Sequence, residues 1–463
     1  MEDKFNILKK PSIILLIFTF CFVLITMDVW RLWHYGQTNF SWDFANYYSY
    51  LPAYISNNGS FEFNNYAVGY MPINPTDNLH IPKATYAMSL MYLPSYAMGY
   101  KIAFNSLDPL DGFSEPFALC VHWGSILYSF LGLIVLRNFL IKFFNETITT
   151  LTLLVVFFGT PLFYYTVGES EMAHCYLFFL ISAFLLITYH WHKKITIYKS
   201  ILLGLIIGLI SLIRPTEILV IFIFIFWSNL EIFDLKSRLF FFLKNYKQIL
   251  LILLVIIIVW APQLLFWKYR TGHYLYFSYP GERFFWNDPQ IINVLFSYRK
   301  GWFVYTPLIL LAFIGFAFVK KELSRIRNVI LIITLFNIYM LSCWWDWAFG
   351  GGFSARAFTQ HIAFLSIPIA SIFNSLFYET KFKNIKKLLQ PLMICVIFFG
   401  ISLNIGQTYQ YTNRIIHFDS MTKESYWLVF GKYKFVGNDE GKFWQSLKEP
   451  KYDKLRSGED RDQ

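Results

Sequence analysis

TYAMSLMYLPSYAMGYKIAF, residues 85–104, decides the architecture. Twenty helical residues span about 30 Å, the thickness of a bilayer's hydrocarbon core, so the segment is long enough to cross. Pro94, Gly99 and four tyrosines suit an interfacial helix better, because tyrosine gathers at headgroup depth. Charge argues the same way. With this segment uncrossed, the inner loops are 1–10, 137–146, 190–200, 231–247, 320–327 and 379–387. They hold 20 of the 40 lysines and arginines within 65 residues, and each obeys the positive-inside rule. If the segment crossed, the acidic turn NSLDPLDGFSEP would become cytoplasmic and every later basic loop would face outward.

Outward from there, the chain reads as an all-α polytopic membrane protein. Of its 463 residues, 56% are hydrophobic, 21% aromatic and 15% charged, too apolar for an ordinary soluble surface. Apolar runs of spanning length, roughly 17–25 residues, lie near 12–33, 117–136, 147–166, 172–189, 248–267, 302–319, 328–345, 361–378 and 388–407. The shorter pair 198–213 and 215–230, broken by RPTE, brings the expectation to about eleven spans. The first run follows Lys9 and Lys10 without a small-residue cleavage site and reads as a retained anchor. This topology places the N-terminus in the cytoplasm and the C-terminus outside. The net charge of +11 is then largely membrane-orienting and calls for no nucleic acid. All five cysteines lie in apolar runs, so no disulfide framework or zinc site is legible.

The organisation expected is one transmembrane domain, 1–407, with a long outer loop 34–116 and a short external tail, 408–463. From Lys448 onward the tail's composition suits disorder. Long connections are often functional, and here the unusual sequence collects on the outer face.

Asp43, in SWDFANYYSYLPAYI (41–55), reads either as the cap of an interfacial helix or as a general base at headgroup depth. The tyrosines around it read mostly as an interfacial aromatic belt, although aromatic faces also suit a sugar or prenyl chain. Lys83, in LHIPKATY, can meet bulk headgroups or one specific lipid phosphate. Arg356 follows three glycines in CWWDWAFGGGFSARAF. It can grip phosphate in a bidentate fork or brace its loop against Asp346. Glu169, Glu171 and His174 cluster in GESEMAH, where Glu171 and His174 have the spacing of one helix face. They form a plain hydrogen-bonded pair or, with His80, a divalent-metal site. Arg214 and Glu217, in LIRPTE, read as a salt-bridged turn, and the remaining histidines, His122 among them, as packed or exposed. Phosphate-loop, HExxH and GxSxG motifs are absent, which leaves ATP-driven transport, zinc proteolysis and serine hydrolysis without support.

An acidic residue just beyond the first span, a long outer loop with a lysine at IPK, interfacial helices and then some ten further spans resemble the GT-C class of membrane glycosyltransferases. The likeness is to the branch holding the protein O-mannosyltransferases and the lipid A aminoarabinose transferase. It covers most of residues 1–407, and SWDFANYYSYLPAYI, IPKATYAMSLMYLPSYAMGY, GESEMAHCYLFFL, LIRPTE, LFSYRKGWFVYTPLILLAFIG and WWDWAFGGGFSARAF carry it in order. The chain departs from the better-known members in opening its first motif with Trp-Asp, and in lacking a large soluble domain after the last span.

The resemblance implies a GT-C-like fold and transfer of a hexosyl or pentosyl group, with inversion, from a polyprenyl-phosphate donor to a lipid, glycan or protein hydroxyl. The reaction would take place at the outer face of a bacterial inner membrane. Asp43 would be the general base, and Lys83 and Arg356 would hold the donor phosphate. Glu169, Glu171, His174, His80 and Arg214 would be supporting residues, with a divalent metal the one candidate cofactor. Two rivals remain: a transporter or flippase of lipid-linked saccharide, which usually has two related halves not seen here, and a polymerase or ligase using Arg270, His273, Arg283 and Arg299 of loop 268–300.

Overall fold

The computed structural model describes residues 10–33, 40–227, 234–379 and 383–461. The basic start of the chain through Lys9, His34, the end of the 215–230 run and parts of the inner loops 231–247 and 379–387 lie outside the described residues. Among the described residues every regular element is a helix. The β pairing there consists of two isolated bridges, Ile73 with His80 and Phe284 with Trp344.

Seven helices are long and apolar enough to cross a membrane: Pro11–Val29, Glu115–Leu140, Ala173–Lys193, Tyr246–Thr271, Lys321–Cys343, Arg356–Phe377 and Ile385–Thr412. The chain is thus an integral, polytopic helical membrane protein. Shorter apolar helices, Glu146–Phe158, Ile197–Ile213, Pro215–Phe226 and Pro307–Phe318, occupy the other apolar runs. Local chemistry explains why these are short. The run at 147–166 breaks where Gly159 caps one helix and Pro161 starts the next, and Thr306-Pro307 divides the run at 302–319. The deciding stretch forms one 20-residue helix, Ala87–Ser106, with Pro94 inside it. It is not among the helices apolar enough to span. The five cysteines form no disulfide with one another.

Contacts group the chain into two compact units of discontinuous segments. One contains Leu24–Leu136 and Glu169–Pro280. In it the Ile197–Ile213 helix packs on both Tyr246–Thr271 and Ala173–Lys193. The approach to Tyr246–Thr271 is close because a Cβ on Gly204 would stand 2.7 Å from the Val255 Cβ and one on Gly208 3.0 Å from that of Val259, the small-residue packing that membrane helices favour. The first loop has its own aromatic core. Phe40, Phe44, Tyr48, Tyr92 and Phe113 pack ring against ring, and Tyr47, Tyr48 and Tyr50 are all buried. These three tyrosines are therefore core rather than an interfacial belt; the Tyr48 ring packs on Phe113 and its hydroxyl donates to the Gly112 carbonyl, and the Tyr50 ring packs on Phe61.

The other unit contains Met1–Val23, Arg137–Gly168 and Gly281–Gln463. Its central helix, Ile362–Phe377, touches Glu146–Phe158, Leu310–Gly315, Ser324–Cys343 and Lys383–Thr412. The tail differs from expectation. Three short helices, Lys423–Val429, Asp439–Ser446 and Tyr452–Ser457, follow Thr412, the first opened by a Thr422–Ser425 capping box. Beyond Lys448, Leu455 is fully buried, and the Arg461 guanidinium donates to the carbonyls of Ser342 and Trp344 at 3.0 and 2.8 Å. A few well-placed anchors order a segment whose average composition suits disorder.

Candidate active site

Asp43 is partly buried in the first turn of the helix Trp42–Tyr48. The cap position belongs to Ser41, whose backbone is extended (φ −127°, ψ 164°), so the reading of Asp43 as the cap is corrected. Between them Trp42 has a φ of 50°, in the left-handed region.

One turn beyond Asp43 is Asn46, which sequence reasoning missed. Only 4% exposed, its side chain makes three hydrogen bonds. Nδ2 donates to the carbonyls of Trp42 and Tyr70, each at 3.0 Å, and Oδ1 accepts the backbone N–H of Lys83 at 2.8 Å. Residues i and i+3 share a helix face, so this amide brings the Lys83 backbone to the turn that carries Asp43. A lone amide among aromatic residues was the one available signal.

The segment after Asn46's contact is fastened at every residue. The Lys83 carbonyl accepts from the Ser278 hydroxyl, and the Ala84 carbonyl accepts from the Tyr50 hydroxyl at 3.1 Å. The Thr85 hydroxyl donates to the Leu212 carbonyl, and the Tyr86 N–H donates to Gln263 Oε1 at 2.9 Å. Such buried, mutually satisfied polar contacts rigidify their surroundings. The partly buried Lys83 holds its ammonium 5.7 Å from the Tyr279 ring centroid. Arg214 caps the Ile197–Ile213 helix two residues after Leu212, so its turn is tied to the same segment. Glu217 is buried in the turn that follows, its N–H on the Arg214 carbonyl at 2.9 Å.

Glu171 and His174 do not share a helix. Ala173 is the first residue of its helix, and Glu169, Ser170 and Glu171 lie in the turn before it. The Glu171 carboxylate meets Nδ1 of His122 at 2.6 Å, both side chains buried, with the Ser170 hydroxyl 3.0 Å from the same nitrogen. His122, read as one of several scattered histidines, is thus a partner that only tertiary structure reveals. His80 pairs with Glu62 at 2.7 Å, and its carbonyl accepts from Arg270 at 3.0 Å. Burial would raise the Glu62 carboxyl, but hydrogen bonds from the His80 backbone and ring, with the charges of His80 and Arg270, hold it below its ordinary range. Among the described residues no three His, Cys, Asp or Glu side chains are grouped as metal ligands would be.

Arg356 belongs to the other unit. Gly350 and Gly352 of its loop have φ of 60° and 152°, and a Cβ on Gly352 would stand 2.8 Å from Arg356 Cδ, so glycine is what lets the arginine lie across the backbone. Asp346 sits 3.8 Å from Arg299, which in turn holds Asp419 at 2.7 Å. All three side chains are buried. Lys300 donates to the carbonyls of Gly352 and Phe418, and Tyr452 donates to Asp419. Burial pushes the Asp346 carboxyl above its ordinary range, against the attraction of Arg299 and, more weakly, Arg356. The expected Asp346–Arg356 brace is thus a wider cluster, with Arg299 as the larger influence.

No protein-family model, curated protein or solved structure matches this chain.

Proposed function

We propose that the chain is an inverting glycosyltransferase of GT-C-like architecture. In this reading it moves a sugar from a polyprenyl-phosphate donor to a lipid, glycan or protein hydroxyl at the outer face of a bacterial inner membrane. The supporting observation is the Asn46–Lys83 hydrogen bond, which sets a carboxylate-bearing turn beside a rigidly held lysine soon after the first long apolar helix.

The chemistry follows from that pair. Asp43 accepts the acceptor's hydroxyl proton, and the freed oxygen attacks the anomeric carbon from the side opposite the phosphate. The bond from that carbon to the phosphate oxygen breaks, its electron pair stays on oxygen, and Lys83 stabilises the growing charge. The donor's own phosphodiester supplies the driving force. Arg356 is proposed as a phosphate ligand. Glu171 with His122, Glu169, His174, His80 and Arg214 act as structural support.

The topology proposed is eleven spans with Ala87–Ser106 uncrossed, the N-terminus cytoplasmic and the C-terminus external. Cysteines introduced at the exposed Asn105 and Asp453 should react with an impermeant reagent from outside intact cells; protection of both until lysis would reverse the map. For the activity, purified protein in proteoliposomes is given polyprenyl phosphate bearing labelled glucosyl, mannosyl, galactosyl or pentosyl groups, with an extract of envelope acceptors. The reading expects label to leave one donor and to do so poorly with Lys83→Ala. Donors that stay intact across the panel, or a fully active Lys83→Ala, contradict it.

A further inference from the structure

Among the aromatic residues of positions 42–50, Trp42 alone lies open. Its side chain is 71% exposed, whereas Phe44, Tyr47, Tyr48 and Tyr50 are all buried. Its backbone is also in the wrong place for its type. A φ of 50° crowds the Cβ of any L-residue, and glycine adopts it freely. Strain of this kind persists only where neighbours hold it, and here they are identifiable. The Asn46 amide donates to the Trp42 carbonyl and to the carbonyl of Tyr70, both at 3.0 Å, and the Tyr70 ring lies 5.0 Å from the indole at 48°. Among the described residues the indole is therefore braced by Tyr70 and otherwise open, directly before Asp43.

We infer that Trp42 is the platform on which the sugar ring of the substrate stacks. A pyranose or furanose presents a face of C–H bonds, slightly positive and apolar. The face of an indole is negative and apolar, so the two attract and exclude water. Stacking would leave the hydroxyl edge of the sugar free for polar contacts. A tryptophan that merely anchors the protein at headgroup depth explains exposure, but it does not need a left-handed backbone or an amide that clamps it. The inference rests on the glycosyltransferase reading and adds the residue that recognises the sugar.

The test uses two ligands in detergent micelles: a short polyprenyl phosphate, and the same lipid carrying a glucosyl, mannosyl, galactosyl or pentosyl group. Trp42→Gly removes the ring while suiting the backbone, so its melting temperature should equal or exceed that of the wild type. It should bind the best sugar-bearing lipid about tenfold more weakly and the bare polyprenyl phosphate as the wild type does. Trp42→Phe, which keeps a ring, should recover most of the loss. Equal weakening for both lipids would make Trp42 a membrane anchor, and no weakening for either would leave it without a binding role; each overturns the inference. The parent reading fails separately, if wild type and Lys83→Ala bind bare polyprenyl phosphate alike. A wild type that binds no sugar-bearing lipid more tightly than the bare one overturns the platform even if the phosphate site stands.

Discussion

The backbone N–H of Lys83 donates to the side-chain oxygen of Asn46 at 2.8 Å, across 37 residues of chain. Because the same side chain holds the carbonyls of Trp42 and Tyr70, one amide fixes the turn of Asp43 and the strand of backbone that bears Lys83. The backbone of the proposed base and that of the proposed phosphate ligand are therefore positioned through one side-chain amide.

Asn46→Ala should destabilise the protein by about 1–3 kcal/mol, since buried backbone groups lose their partner. Asn46→Asp is the sharper variant. It keeps the acceptor for Lys83 but turns a carboxylate toward two carbonyl oxygens, so it should be worse than alanine at pH 8 and recover toward pH 5 as the new carboxyl takes a proton. Thermal unfolding in detergent at both pH values reads this. A melting temperature for Asn46→Asp that does not change with pH relative to wild type would mean the amide is not where its hydrogen bonds put it.

Arg356 lies across Gly352, whose absent Cβ would stand 2.8 Å from its Cδ. If the arginine binds donor phosphate, Arg356→Ala should lower turnover on the order of 10²–10³-fold. Arg356→Lys should retain part of the activity, because lysine supplies charge without the fork. Gly352→Ala should resemble the arginine loss by displacing the side chain. Steady-state turnover decides among them. If Asp346→Ala is as harmful as Arg356→Ala and the double variant is no worse, the arginine only braces its loop.

The two acids near Arg299 should respond oppositely to removal. Asp419→Ala leaves a buried guanidinium short of its nearest carboxylate, 2.7 Å away in the wild type, and should cost about 3–5 kcal/mol. Asp346 is different, because burial holds its folded-state carboxyl above the ordinary value of 3.8. The folded protein then keeps a proton that the unfolded chain has released, so stability from this group falls as pH rises from about 3.8 to the raised value and is level above it. Asp346→Asn should therefore melt no lower than wild type at pH 7 and lose that dependence. A strongly destabilised Asp346→Asn would show that its attraction to Arg299 outweighs its burial.

Much of the fold was legible because spanning a membrane leaves a one-dimensional record. The apolar runs coincide with seven long helices and four shorter ones, and their breaks fall at Gly159, Pro161 and Pro307. Asp43, Lys83 and Arg356 stood out as ionisable groups among apolar and aromatic neighbours. What was not legible is partnership at a distance. His122 and Glu171 are 49 residues apart, and Arg299 and Asp419 are 120 apart, so no local spacing links them. The shared helix face expected for Glu171 and His174 is not there, because helical spacing counts only within a helix, and this one begins at Ala173. The tail escaped because order there depends on single anchors, Leu455 and Arg461, rather than on average composition.

The central claim is that Asp43 takes the acceptor's proton, and the most direct test is Asp43→Asn in proteoliposomes with a labelled polyprenyl-phosphoryl sugar. The amide keeps the size and shape of the side chain and cannot accept the proton. Turnover should fall on the order of 10²-fold or more, while affinity for the donor and the melting temperature stay close to those of the wild type. An Asp43→Asn protein that transfers sugar at the wild-type rate would contradict the account.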